Sequence, residues 1–135
     1  MDAVLNIDVP DVRASVDFYE RGIGLRLRRM LFNGTVAEMI GAPVAIFLLE
    51  KRQGTSPSPF VPAPRDYARH WTPLHLDFPV PDLDVAVARA CAAGARLEGA
   101  IQTDVWGRLA TMRDPFGHGF CFIQWVGSGY DAVES

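Results

Sequence analysis

Three side chains in the second half of the chain are of types that can do chemistry together. His75 alternates with Asp77 in LHLDF, so on an extended strand both leave the same face. An imidazole beside a carboxylate is held in one tautomer and can then contact a polar ligand or serve as a metal ligand, or it is simply a structural histidine with its hydrogen bonds satisfied. Cys121 stands in FCFIQWV, where alternation puts Cys121, Ile123 and Trp125 on one face and Phe120, Phe122 and Gln124 on the other. A thiol becomes a nucleophile only beside a base or a positive group. His75 is the candidate partner in three dimensions, against the plainer expectation of a small packing thiol. Cys91, on a helix among alanines, is expected to pack as well. Trp71, Trp106, Trp125 and Phe47 offer flat surface for a planar or cationic molecule, or else belong to a sheet core. His118 is expected as a solvated hairpin residue, His70 as a loop residue, Arg108 as a surface charge and the RLRR run at 26–29 as a solvated strand face.

Positioning such groups falls to a pattern that the chain writes twice. VPDVRASVDFYERGIGLRL begins at Val9 and VPDLDVAVARACAAGARLE at Val80; each opens on Val-Pro-Asp, runs into a helical stretch, meets a glycine and returns to strand pattern. A spacing of about 71 residues is too long for a solenoid and implies two copies of one supersecondary module. Asp11 and Asp82 are the expected N-caps, with Pro10 and Pro81 ending the strands before them. Val12, Val16, Phe18 and Tyr19 mark one buried helix face, and Leu83, Val87, Ala90 and Cys91 the other. Gly22 and Gly94 are placed to take the left-handed cap. Strands are expected at 4–9, 25–32, 35–40 and 44–50, then at 73–80, 96–101, 108–113 and 120–126. Asn33 and Gly34 form the hairpin signal, and DPFG at 114–117 has the composition of a turn.

The fold class is therefore α+β: two tandem βαβββ modules at about 1–50 and 73–126 in a single domain 1–135, with a linker or lid at about 51–72 and a tail at 127–135. The RDYARHW stretch ending the linker carries arginines, a histidine and two aromatics that can cover a pocket. With 135 residues, 49% hydrophobic and 21% charged, the chain is long enough to bury a core. A net charge of −3 without a basic stripe argues against a nucleic-acid partner. No apolar run approaches a membrane span, the first residues lack a signal-peptide pattern, and the two cysteines fit no metal-knuckle spacing. A soluble cytoplasmic protein with reduced thiols and no membrane partner is the expectation.

The Val-Pro-Asp-led helix, the DPFGHGFCFIQ segment and the WGRLATMRDPFG stretch from Trp106 resemble the vicinal oxygen chelate superfamily of glyoxalase, bleomycin-resistance and dioxygenase proteins, over nearly the whole chain. The resemblance implies two modules forming a curved, half-open, eight-stranded sheet cleft, frequently in a dimer, with the Cys121 face looking into it. It also implies, for the enzymes, a divalent metal held by His, Glu or Gln on the first and last strand of each module, acting as a Lewis acid. Those positions fall here near Val4, Phe47, His75 and Cys121, and only His75 matches. A one-residue shift offers Leu5 or Leu48; Asn6 and Glu50 lie further off. A histidine and a cysteine with two apolar neighbours make an incomplete cage for zinc, iron or manganese.

The reading favoured at this point is a small-molecule-binding protein that sequesters its ligand in an apolar cleft. Its ligand-binding residues are His75, Cys121, Phe47, Trp106, Trp125, Asp77 and Trp71, with no catalytic residue, no cofactor and no divalent metal expected. The alternative is a metal-dependent lyase, isomerase or dioxygenase of the same superfamily, whose relocated site joins His75 to Asp77, Glu38 or Glu50. A homodimer is expected because curved sheets leave edges that invite pairing.

Overall fold

Strand alternation and two short helices account for the architecture in the computed structural model, which describes residues 1–135. The class is α+β, and the chain divides into two compact units, Met1–Ala68 and Arg69–Ser135. The first contains β1 (Val4–Val9), α1 (Val12–Phe18), β2 (Arg26–Leu31), β3 (Val36–Ile40) and β4 (Ala45–Glu50). Its sheet runs β1-β4-β3-β2, with β1 parallel to β4 and the other pairs antiparallel. Ala37 and Met39 of β3 and Ile46 and Leu48 of β4, with Val12 and Phe18 of α1, form one buried apolar layer.

Asp11 caps α1 as expected, its side chain accepting from the Ala14 amide at 2.9 Å. The left-handed cap falls on Gly24 (φ 92°) rather than Gly22, because the helix widens into one π turn, Tyr19–Ile23, before it ends. The first hairpin also turns one residue earlier than Asn33 and Gly34 suggest. Phe32 and Asn33 take the two central positions of the turn at positive φ (51° and 54°), Gly34 follows at φ 80°, and its amide donates to Leu31 O at 3.1 Å.

The RLRR run is not simply a solvated face. A bulge between Leu27 and Arg29 breaks the alternation of β2, so Arg28 and Arg29 both reach Glu38, a residue only 5% exposed. The hydrogen bond from Arg29 holds the Glu38 carboxyl below its ordinary range; Arg108 does the same for Asp84, and Arg69 for Glu98. A depressed folded-state pKa contributes stability above the unfolded value, and that contribution is lost as pH falls through the folded value. The melting temperature of the parent should therefore fall on acidification from pH 7 to pH 3. Glu38→Gln should start lower and lose less over the same range, and parallel melting curves for the two proteins would contradict this account.

The second unit contains β5 (Leu76–Pro79), α2 (Leu83–Ala92), β6 (Arg96–Leu97), β7 (Gln102–Asp104), β8 (Gly107–Arg113) and β9 (Gly119–Trp125), then a 3-10 turn, Gly129–Val133. Its sheet runs β5-β9-β8-β6, and β7 also pairs with β8. The two sheets thus hold nine strands, one more than the expected eight, because the segment after α2 breaks into a two-residue β6 and a separate β7 instead of one strand. Asp82 caps α2 by accepting from the Val85 amide, and Gly94 ends it at φ 113°, both as expected. The buried face is Leu83, Ala86 and Ala90, not Val87 and Cys91; the helical phase leaves the Cys91 thiol exposed.

The repeat persists in its hydrogen bonds. The first amide of α1, Val12 N, donates to Glu50 Oε2 at 2.9 Å, and the first amide of α2, Leu83 N, donates to Gln124 Oε1 at 2.8 Å. The last strand of each unit therefore caps that unit's helix. This places Glu50 and Gln124 on the helix side of their sheets, and makes Phe47 the counterpart of Cys121, three residues before each cap.

Candidate functional site

The helix-free face of the second sheet carries the reactive side chains. Asp77 of β5 stands in register with Cys121 of β9, which stands opposite Thr111 of β8. The Glu98 amide donates to Thr111 O at 2.8 Å, extending this row to the strand beyond. Arg96 of β6 is opposite Arg113 of β8, and Arg113 is opposite Gly119 of β9, making a second row. His75 immediately precedes β5, with Nε2 3.3 Å from Asp77 Oδ1. The donor atoms of His75, Asp77 and Cys121 lie within 4.8 Å of one another. The sequence pairing of His75 with Asp77 is thus realised in space and extended to Cys121.

Burial pushes the Cys121 thiol up to about 11, the Asp77 charge adds to that, and a hydrogen bond with Thr111 works against it. At neutral pH Cys121 is a neutral thiol and no nucleophile. The exposed Cys91 should react with a thiol reagent in the native protein at pH 8, and Cys121 only after denaturation. Rapid titration of two thiols without denaturant would refute this.

The segment ahead of β5 folds over that face. His70 N donates to Gly117 O at 3.0 Å, and His118 Nδ1 lies 2.9 Å from His70 Nε2. Neither histidine is the free loop or hairpin residue expected; they bond to each other across the DPFG turn. Trp71 follows, its indole lying against Gly119 and edge-on to His75 at 5.2 Å. A Cβ at Gly119 would overlap the Trp71 ring, so glycine is what lets the tryptophan lie flat. Between this segment and β6 opens a cavity of about 690 Å³, lined by Arg69, Trp71, Arg96, Glu98, Thr111 and Arg113 among others. Arg69 Nε donates to both Glu98 oxygens at 2.8 Å, and Arg113 Nε approaches Glu98 at 3.5 Å. The cavity wall is charged where an apolar one was expected, because alternation on β6 and β8 turns two arginines onto this face. Arg69 and Trp71 of RDYARHW do cover a pocket, whereas nothing in residue type or spacing marks Arg96 and Glu98, at the end of the second repeat, or Arg113, in WGRLATMRDPFG, as site residues.

A family model for the glyoxalase-like domain matches residues 4–123. The chain belongs to the glyoxalase-like family. Solved structures with the same fold include TnmS3, an antibiotic-binding protein from Streptomyces sp. CB03234, with 22% identity, 93% of this chain and 98% of that one covered, and a TM-score of 0.64. A glyoxalase/bleomycin resistance protein/dioxygenase family enzyme from Burkholderia phytofirmans PsJN shares 18% identity over 93% and 100% of the two chains, with a TM-score of 0.68. The fosfomycin resistance protein FosX from Listeria monocytogenes shares 16% over 92% of each, with a TM-score of 0.69. No curated protein matches the chain.

In this glyoxalase-like protein the repeat equates His75, Asp77 and Cys121 with Val4, Asn6 and Phe47. Of the four positions that the resemblance to the vicinal oxygen chelate superfamily would assign to a metal, Val4 and Phe47 carry hydrocarbon side chains, so those four residues do not fit a cage with two donors from each module. The alternative donors are committed elsewhere: Glu38 to Arg28 and Arg29, Glu50 to the α1 amide. His75, Asp77 and Cys121 alone offer three donors, and Cys121 would have to lose its proton to serve. Phe47 lies in the first unit, in register with Asn6 and Glu38. Trp106 and Trp125 gather not at His75 but with Tyr130, at ring distances of 4.6–6.2 Å. Trp125 is four residues beyond Cys121 along β9, roughly 13 Å of strand. Arg108 pairs with Asp84 on α2, on the opposite face of the sheet. No helix is long and apolar enough to cross a membrane.

Proposed function

We propose that this chain is a small-molecule-binding protein that captures its ligand on the helix-free face of the second unit and does not run the family's metal chemistry. The observation that carries the reading is the occupancy of the family's metal positions by Val4 and Phe47 beside His75 and Cys121. What this leaves is a binding wall: a flat indole, an imidazole oriented by Asp77, a neutral thiol and the Thr111 hydroxyl, next to a cavity of about 690 Å³. Capture by such a wall needs no deprotonated nucleophile and no Lewis acid. The antibiotic-binding TnmS3, of the same fold, lends the reading support.

A panel of planar compounds read by thermal shift and tryptophan fluorescence tests it. One molecule should bind per chain, unchanged by EDTA and without turnover, raising stability by about 2.7 kcal/mol at a hundredfold excess over Kd. Gly119→Val, which evicts Trp71, should weaken binding while the fold persists. Stoichiometric metal in protein purified without chelator, lost in His75→Ala, would overturn the reading.

The proposal includes a homodimer and a cytoplasmic setting. β2 is an edge strand whose Leu27 and Met30 are exposed, as is Phe32 beyond it, which supports pairing with a second copy. Two unbridged thiols suit a reducing compartment. A monomer mass in sedimentation at tens of micromolar would remove the dimer.

A further inference from the structure

We infer that the ligand taken by the second unit's cavity is a small organic oxyanion, a carboxylate or phosphate on a planar body, and that Arg96 recognises its charge. The inference rests on the binding reading above and adds the chemical class. Three guanidinium groups line the cavity, Arg69, Arg96 and Arg113, against one carboxylate, Glu98. That carboxylate is already shared: Arg69 grips it with Nε on both oxygens and Arg113 approaches at 3.5 Å. Arg96 stands directly opposite Arg113 across the β6–β8 ladder and makes no ion pair. Like charges in register repel, and a second anion between them would relieve that repulsion. The excess of two positive charges is local, since the whole chain carries −3. Asp77, on the same face, lies beyond Thr111 and Cys121 in the neighbouring row and contacts His75.

Geometry completes the recognition. A guanidinium presents paired N–H donors that match two oxygens of one anion. Thr111 contributes a hydroxyl beside it, and the Trp71 indole forms a wall on which a flat body can stack. Arg69 and Arg113 hold each other's position through Glu98, so Arg96 is the lining cation left for an incoming charge.

Four probes of one shape test this: 2-naphthoate, 2-naphthyl phosphate, the neutral 2-naphthamide and the cationic 2-naphthylmethylammonium, titrated by calorimetry and tryptophan fluorescence against the intact chain. The two oxyanions should bind about tenfold or more tightly than the amide, more weakly as salt rises, and the cation should bind worst. Arg96→Gln should lose about tenfold for the oxyanions and nothing for the amide, and Arg96→Lys should recover part of that loss. Arg96→Lys should melt like the parent and Arg96→Gln no lower, since it relieves the repulsion from Arg113. Binding indifferent to probe charge, or an equal loss for anion and amide in Arg96→Gln, would overturn the inference and leave the binding reading standing. No binding of any probe at millimolar concentration would overturn both.

Discussion

Replacing Phe122 with alanine should cost about 3–5 kcal/mol, a large part of the total stability of a domain this size. Phe122 is 0% exposed, meets Phe120 edge-on at 5.3 Å and tilts against Phe78 at 6.4 Å. It sits at the centre of β9, paired with Phe78 on one side and Ala110 on the other, on the face that α2 covers. Both neighbouring strands are fixed by backbone hydrogen bonds, so the cavity left by the ring has little room to collapse. Urea denaturation should show a lower midpoint with an unchanged slope. A loss below about 1 kcal/mol would mean that the second unit's packing does not depend on this aromatic group.

Asp114→Ala should be the next most damaging change, at about 2–4 kcal/mol. Asp114 is 2% exposed, and its Oδ1 accepts from the Phe116 amide at 2.8 Å and the His118 amide at 2.9 Å. Alanine leaves the buried Phe116 amide and the half-buried His118 amide without that acceptor, while Asp114→Asn keeps an oxygen there and should cost clearly less. The turn also carries His118, which holds His70 and so the approach of Arg69 and Trp71 to the cavity. Ligand affinity should therefore fall with stability in Asp114→Ala. Equal costs for the two substitutions would show that the amide hydrogen bonds are not the source.

Features set by neighbours along the chain are legible in the order of residues alone. The Asp11 and Asp82 caps, the DPFG turn and the two faces of β9 follow from residue type and local spacing, and all are found. Features set by tertiary contact are not. A π turn moves a cap by two residues without changing composition, and a bulge turns Arg28 and Arg29 toward one carboxylate. The helical phase of α2 exposes Cys91, because alanines on both sides let either face pack. The site shows the same division. Alternation joins His75 to Asp77, but the His70–His118 contact spans 48 residues and the Arg96–Arg113 pair depends on strand register. Sequence pattern therefore indicates the wall of the site and not the charge of its cavity.

The cap that each unit takes from its last strand bears on how the chain acquires its structure in time. Val12 waits for a residue 38 positions later and Leu83 for one 41 positions later, so neither helix is complete when its own residues have been made. Each unit closes only when its final strand arrives and pairs in parallel with its first, a step that costs loop-closure entropy before any contact repays it. Parallel closure of this kind is a slow class of folding step, and synthesis divides it into two events. The first half has its cap once Glu50 has left the ribosome, and the second stays open until Gln124 has followed.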